Sequence, residues 1–280
     1  MYETKTCRKA LITLILLVFV FVSCSPERKL AKQFLQNKEP EAILLLAPDF
    51  LYKKSYKLPD SLQIEDLQTA EKDSVLLANT QVIQYVDDST YFAAFMKGIY
   101  NELTLLGYKA FVQEQAGDFL VNGRKSVVFN LAQAEIEEYF DSVGDAAYFG
   151  GEELYRYNYF ITAVNQNFWF EYSGLNHYDT TLRVLFSNLT VTDAYDGGFR
   201  YFPLSGDVKY VYNIDSLQTK DIYRSAERAG YVNATYLNDF LMNKYISHRL
   251  PKGTTPRVLF TYDRLYGKLR KLKAAGFVEM

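Results

Sequence analysis

Between residues 125 and 214 the chain is a succession of alternating apolar and polar segments, and this constrains the fold more than any other feature. Residues 125–138 alternate Val127, Phe129 and Leu131 before turning polar at Glu135, Glu137 and Glu138. Residues 154–172 carry Tyr, Phe and Trp169 in near-alternation, residues 182–192 repeat the pattern, and residues 208–214 alternate again after the turn-forming Asp196, Gly197 and Gly198. A period of two sends successive side chains to opposite faces, so this part of the chain must form a sheet that needs a covering layer. Helical segments flank it. Residues 91–106 set Phe92, Phe95, Ile99, Leu103 and Leu106 on one face, behind the N-cap residues Asp87 and Asp88 and ahead of the stop signal Gly107. Residues 219–229, closed by Gly230, and residues 233–249 read as two further helices, and the basic stretch 265–275 as a terminal one. Residues 41–47, 108–113 and 257–262 read as additional strands, 50–59 as a loop, and Asn122-Gly123 as a hairpin turn. The expected fold class is α+β, a mixed, largely antiparallel sheet with helices packed mainly on one face. A boundary at the glycine cluster Gly144, Gly150 and Gly151 is conceivable, but one domain over residues 41–280 accounts for the pattern better.

The N-terminus speaks of location. Lys5, Arg8 and Lys9 form a basic head, residues 10–22 are apolar and uncharged, and Ser23 and Cys24 precede a polar stretch. That order is a secretory signal peptide over residues 1–23, and its apolar run is short of the roughly 20 residues a spanning helix needs. Phe21-Val22-Ser23-Cys24 resembles the lipobox of bacterial lipoproteins, with Phe where that pattern prefers Leu. The resemblance implies that Cys24 is acylated and becomes the first mature residue, holding the protein to a membrane through several chains, where one alone would bind only marginally. Residues 24–40 then read as a tether, within which residues 29–34 could begin a short helix. Surface-exported lipoproteins of the Bacteroidota carry acidic residues just after the Cys. Residues 25–29 here hold one acid and two bases, which favours the periplasmic face of the outer membrane.

Composition narrows the function. The net charge of −2 provides no basic surplus for phosphates, so nucleic acid is not expected as a partner. Cys7 leaves with the signal peptide and Cys24 is consumed by lipidation, so neither a disulfide nor a cysteine metal site is expected. The two histidines, His177 and His248, lack any accompanying motif; no metal, no cofactor and no catalytic residue is expected. Carboxylate pairs such as Glu135 with Glu137 or Glu138, and Glu152 with Glu153, satisfy the residue types of glycosidase chemistry. With 33 acidic residues such pairs are inevitable, however, and Glu135 and Glu137 on one strand face read as a solvated edge. Aromatics reach 16%, which strand preference explains and which a glycan- or protein-binding face would also require.

Three resemblances complete the reading. Asp-Ser and Asp-Thr pairs, each followed by an aliphatic residue or Thr, recur at Ser61, Ser74, Ser89, Ser142, Thr180 and Ser216. They resemble the periplasmic O-glycosylation acceptors of the Bacteroidota, although Asp-Ser pairs also open turns and helices without modification. The strand at residues 43–47, the helix at 91–106 and the segment 107–112 resemble the α/β fold of the TolB N-terminal domain and the penicillin-binding-protein activator lipoproteins, over residues 41–140. The whole chain resembles Bacteroidota lipoproteins, with Asn238-Asp-Phe-Leu-Met-Asn-Lys-Tyr245 as the most distinctive block. The expectation is a non-enzymatic, lipid-anchored outer-membrane protein, an accessory or assembly subunit that meets an envelope protein. The alternative is a glycan- or peptidoglycan-binding lipoprotein that uses an aromatic face containing Trp169. Oligomeric state is not legible.

Overall fold

The computed structural model describes residues 25–38, 40–57, 69–121, 125–175 and 181–280. The fold is α+β, as the alternation predicts. Two very long strands, β4 (Ser126–Phe149) and β5 (Glu152–Gly174), form the antiparallel spine of the main sheet. On one side β6 (Arg183–Thr192) and β11 (Val278–Glu279) continue it antiparallel. On the other, β1 (Ala42–Leu46) and β2 (Tyr52–Ser55) both run parallel to β4, one after the other along the same edge, and β3 (Lys109–Phe111) lies parallel outside β1. Two small antiparallel pairs complete the strands: β7 (Ala194–Phe202) with β8 (Asp207–Asp215), and β9 (Phe260–Asp263) with β10 (Lys268–Lys271). Gly150 and Gly151, which suggested a domain boundary, turn the β4–β5 hairpin at positive φ.

Helices cover one face. They are α1 (Pro26–Asn37), α2 (Thr69–Ala78), α3 (Asp88–Leu105), the short α4 (Ala116–Val121) and α5 (Thr219–Arg249). Among the described residues no helix is long and apolar enough to cross a membrane. α3 begins and ends as its sequence directs. The Asp87 carboxylate accepts the Thr90 N–H at 2.8 Å, and Gly107 at φ 92° lets the Tyr108 N–H reach the Leu103 carbonyl at 3.0 Å. Its apolar face lies on the sheet, with Phe95 stacked on Phe168 at 5.0 Å between centroids. Among the described helices, α4 packs on the opposite face, where Phe119 joins Ala42 and Leu44 in a small second core.

Five local expectations give way to tertiary structure. Residues 219–249 are one helix, since Gly230 is an internal contact point and not a stop. Residues 265–275, expected as a helix, supply strand β10 in a hairpin held on α5. Residues 196–198 lie inside strand β7, the turn falling at residues 203–206. Residues 52–55 are a strand, because the β4 edge offers them pairing partners. The tether segment is not a free spacer: the short helix read over residues 29–34 extends to Pro26–Asn37 as α1 and buries Ala31 and Phe34 in the main core. The Asn122-Gly123 turn lies outside the described residues.

The distinctive block 238–245 works as a clasp. Asn238 Oδ1 accepts from Lys38 Nζ and Tyr108 OH, each at 3.0 Å, tying α5 to the end of α1 and to the segment after α3. Asp239 accepts the Tyr262 N–H at 3.1 Å, and the Asn243 amide exchanges two 2.8 Å hydrogen bonds with the Phe260 backbone, as a neighbouring strand would. Burial pushes the Asp239 carboxyl up from its ordinary 3.8 to about 6, against hydrogen bonds from Thr261, Tyr262 and Asn238 and the Lys38 charge, all of which pull it down. The folded value exceeds the unfolded one, so the stabilisation is present below about pH 4 and is lost as pH rises through about 6. Relative to Asp239→Asn, the wild-type urea midpoint is expected to fall between pH 4 and pH 7; parallel profiles for the two proteins would refute this assignment.

Candidate functional site

Among the described residues, the layering leaves the second face of the sheet open beyond α4. Residues on that face follow from the register. Glu135 and Glu137 of β4 stand opposite Asn167 and Asn165 of β5, with Asn188 and Thr190 of β6 alongside. Trp169 and Phe186, paired across β5 and β6, hold their rings 5.1 Å apart at one end of this row. Tyr52, Lys54 and Tyr56 border it along β2. Lys54 Nζ meets Glu135 Oε1 at 3.0 Å, and Glu137 accepts from Asn167 at 2.9 Å, Asn165 at 3.1 Å and Tyr56 at 3.2 Å. Burial raises the Glu135 carboxyl above the usual range, against the pull of Lys54. Glu137, although burial opposes it, is held below that range by hydrogen bonds from Asn165, Glu135 and Asn167. The solvated-edge expectation is corrected: β4 is an interior strand, and Glu135 is buried.

Glu138 points to the other face and is fully buried. Its carboxylate accepts the backbone N–H groups of Gln81, Val82 and Ile83 at 2.7, 3.0 and 3.1 Å and pairs with Lys57 Nζ at 2.8 Å. Every acceptor position is committed to holding a loop on the sheet.

Past Glu138 and Ala163, where pairing with β2 and β6 ends, β4 and β5 continue with each other for residues 139–149 and 152–162. At about 3.3 Å per residue this is an arm roughly 35 Å long. The β7–β8 hairpin lies along it through a ladder of rings. Tyr157 stacks on Tyr210 at 4.5 Å, Tyr159 on Tyr212 at 5.7 Å, and Tyr155 approaches Phe199 at 5.8 Å. Because Tyr195 meets Tyr159 while Phe199 meets Tyr155, β7 runs toward the arm's end and the two hairpin tips lie together. Large apolar side chains stay in solvent there: Tyr148, Phe149 (78% exposed), Tyr201 and Leu204 near the tips, and Phe140 with Phe160 (70% exposed) on the arm's other face. Asp193 fastens the base of this assembly by accepting the Thr162 and Leu217 N–H groups, each at 2.7 Å.

The arm and the start of α1 mark opposite ends. Gln166, Ser187 and Tyr172 contact Ser225, Asn233 and Phe240 in that order, so α5 starts at the arm base and runs away from it. At 1.5 Å per residue it covers about 45 Å. Ser25, which caps α1, lies by its far end, where Glu27 meets Arg257 and Phe34 meets Tyr245.

Cys24, Ser61, Thr180 and His177 lie outside the described residues. Of the acceptor serines, Ser74 is exposed on α2, Ser89 exposed in the first turn of α3 with its hydroxyl donating to Asp87 at 2.7 Å, and Ser216 exposed between β8 and α5. Ser142 is exposed on the arm strand and not in a turn. Glu152 and Glu153 start β5 in solvent, Glu153 paired with Arg156, and His248 sits in the last turn of α5. Among the described residues no three His, Cys, Asp or Glu side chains converge as a metal site would require. The sequence reading missed the arm, since alternation marks a strand but not how many partners flank it.

No protein-family model matches the chain, and no curated protein matches it. Among solved structures it is similar to a crystal structure described as a neuraminyllactose-binding hemagglutinin homolog from Helicobacter pylori, at 10% identity and a TM-score of 0.31, over 75% of this chain and 90% of that one. A likeness of that degree establishes neither a shared fold nor a shared ligand.

Proposed function

We propose that this chain is a non-enzymatic, lipid-anchored lipoprotein of the Bacteroidota outer membrane that faces the periplasm and engages an envelope protein through its aromatic β-arm. One observation carries the reading: the arm exposes large rings at the end of the molecule opposite Ser25, the residue next to Cys24. Contiguous exposed apolar surface is a mark of interaction sites, and an anchor at Cys24 would hold this surface away from the membrane. Photo-crosslinkers at Phe149 and Phe160, with one at the body residue Tyr266 as control, test it in intact cells. The expected result is one stoichiometric envelope protein captured from the arm positions, absent from the control and lost in Cys24→Ala. Equal capture from arm and body would overturn it. Mass spectrometry of the same native protein checks glycan mass at Ser74, Ser89, Ser142 and Ser216.

A second reading is favoured by the open sheet face, where Trp169 and Phe186 adjoin a row of amides and carboxylates suited to sugar hydroxyls. Trp169 is the single tryptophan, so its fluorescence reports this face without interference. Soluble peptidoglycan fragments are expected to shift the emission, and Asn167→Ala, which keeps the reporter, to weaken binding about ten-fold. An unchanged spectrum at saturating fragment would dismiss this reading and leave the arm untouched.

A further inference from the structure

We infer that Lys38 and Asn238 become joined by an intramolecular amide bond, with Asp239 carrying the proton, independently of the arm and of the open sheet face. The three side chains meet where the end of α1 abuts α5. Lys38 Nζ lies 3.0 Å from Asn238 Oδ1, and Asn238 Nδ2 lies 3.5 Å from Asp239 Oδ1. Asn238 is fully buried and Asp239 nearly so. Rings wall the Lys38 ammonium, with the Tyr108 centroid at 4.7 Å and that of Phe34 at 5.2 Å. Lys38 is also the one non-glycine residue at positive φ among the described residues, at 33°. Such a backbone persists only where its surroundings enforce it, and here it accompanies a side chain that reaches a partner 200 positions away.

A nucleophile, an acyl carbon and a proton carrier are the parts that amide exchange requires. Burial pulls the Lys38 amine down to about 8 against the attraction of Asp239, and burial pushes the Asp239 carboxyl up to about 6. Both shifts favour a neutral amine beside a neutral acid, the pair from which the reaction starts. Nζ already touches Oδ1, so a small movement across the amide face brings it to the near-attack separation of about 3–3.5 Å from Cγ. The Nζ lone pair then forms the new bond to Cγ. The Tyr108 hydroxyl, which donates to Oδ1 at 3.0 Å, stabilises the negative charge that develops there. Asp239 gives its proton to Nδ2, the Cγ–Nδ2 bond breaks, and Nδ2 leaves as ammonia. The Asp239 carboxylate takes a proton from Nζ and is restored as the acid. One amide forms, one is lost and one ammonia is released, with no oxidant or other co-reactant. The product ties the segment ahead of β1 covalently to α5.

Peptide mapping of the purified full chain by mass spectrometry tests this. The expected result is a branched peptide that joins the residues around Lys38 to those around Asn238. It is lighter than the two linear peptides together by about 17 Da, the mass of ammonia, and trypsin no longer cuts after Lys38. Lys38→Met, which removes the nucleophile, and Asp239→Ala, which removes the proton carrier, are expected to yield the linear peptides alone. Linear peptides alone from the wild-type protein would overturn the inference, and that result does not depend on any variant folding. An undiminished branched peptide in Asp239→Ala would overturn it as well.

Discussion

Gly230→Ala is expected to destabilise the protein by about 3 kcal/mol, the upper part of the range for overpacking a tight site. Helix propensity taken alone predicts the reverse, because alanine is favoured over glycine inside a helix by roughly 1 kcal/mol. The packing decides the sign. A Cβ at Gly230 would stand 2.2 Å from the Phe95 carbonyl oxygen and 2.7 Å from the Ile99 nitrogen, and a Cβ at Gly98 would stand 2.1 Å from the Glu227 carbonyl oxygen. All three are backbone atoms, so no side chain can rotate away and the helices α3 and α5 must separate. Ser225, Ala226, Ala229 and Ala234 keep the same stripe of α5 buried and narrow. Gly98→Ala is expected to act similarly. The double variant should lose less than the sum of the singles, because helices already moved apart by one methyl accommodate the other. Urea unfolding of the four proteins measures this; a neutral or stabilised Gly230→Ala would refute the close crossing.

Glu138→Ala is expected to destabilise by about 3–5 kcal/mol, the range for stripping one partner from a buried ion pair. Two losses coincide. Lys57, itself buried, keeps a hydroxyl contact with Thr162 at 2.8 Å but loses its countercharge, and the N–H groups of Gln81, Val82 and Ile83 lose their acceptor. Lys57→Met should be milder, since three N–H donors still hold the carboxylate. Hydrogen exchange separates a local from a global effect: amides 81–83 are expected to exchange faster in Glu138→Ala even under conditions where the sheet remains protected. Unchanged exchange at those amides would refute the role assigned to Glu138.

Legibility in the sequence followed how local the deciding interactions are. The α3 boundaries were readable because their caps are made within a few residues, by Asp87 with Thr90 and by Gly107 at positive φ. The strands of the spine were readable because alternation is a property of the strand itself. Gly230 was misread because a glycine that stops a helix and a glycine that admits a second helix look the same along one chain. Residues 265–275 have helical composition, yet Asn243 grips Phe260, Arg264 reaches Glu102 with two 2.9 Å hydrogen bonds, and residues 268–271 pair back onto the β9 strand so anchored, which holds the segment as a hairpin. Glu135, Glu137 and Glu138 were legible as a polar strand end. That two of them face the amides of Asn165 and Asn167 while the third holds a loop in the core depends on which strands lie beside β4.

By itself, then, the sequence determined the fold class and the one-sided helical layer, because periodicity and capping are written into neighbouring residues. Tertiary structure alone decided which glycine is a contact, which carboxylates are buried, where the β4–β5 hairpin leaves its partners to become an arm, and that this arm lies opposite Ser25. Those features arise from contacts between residues far apart in the chain, such as Gly98 with Glu227 and Glu138 with Lys57, and no local pattern encodes them.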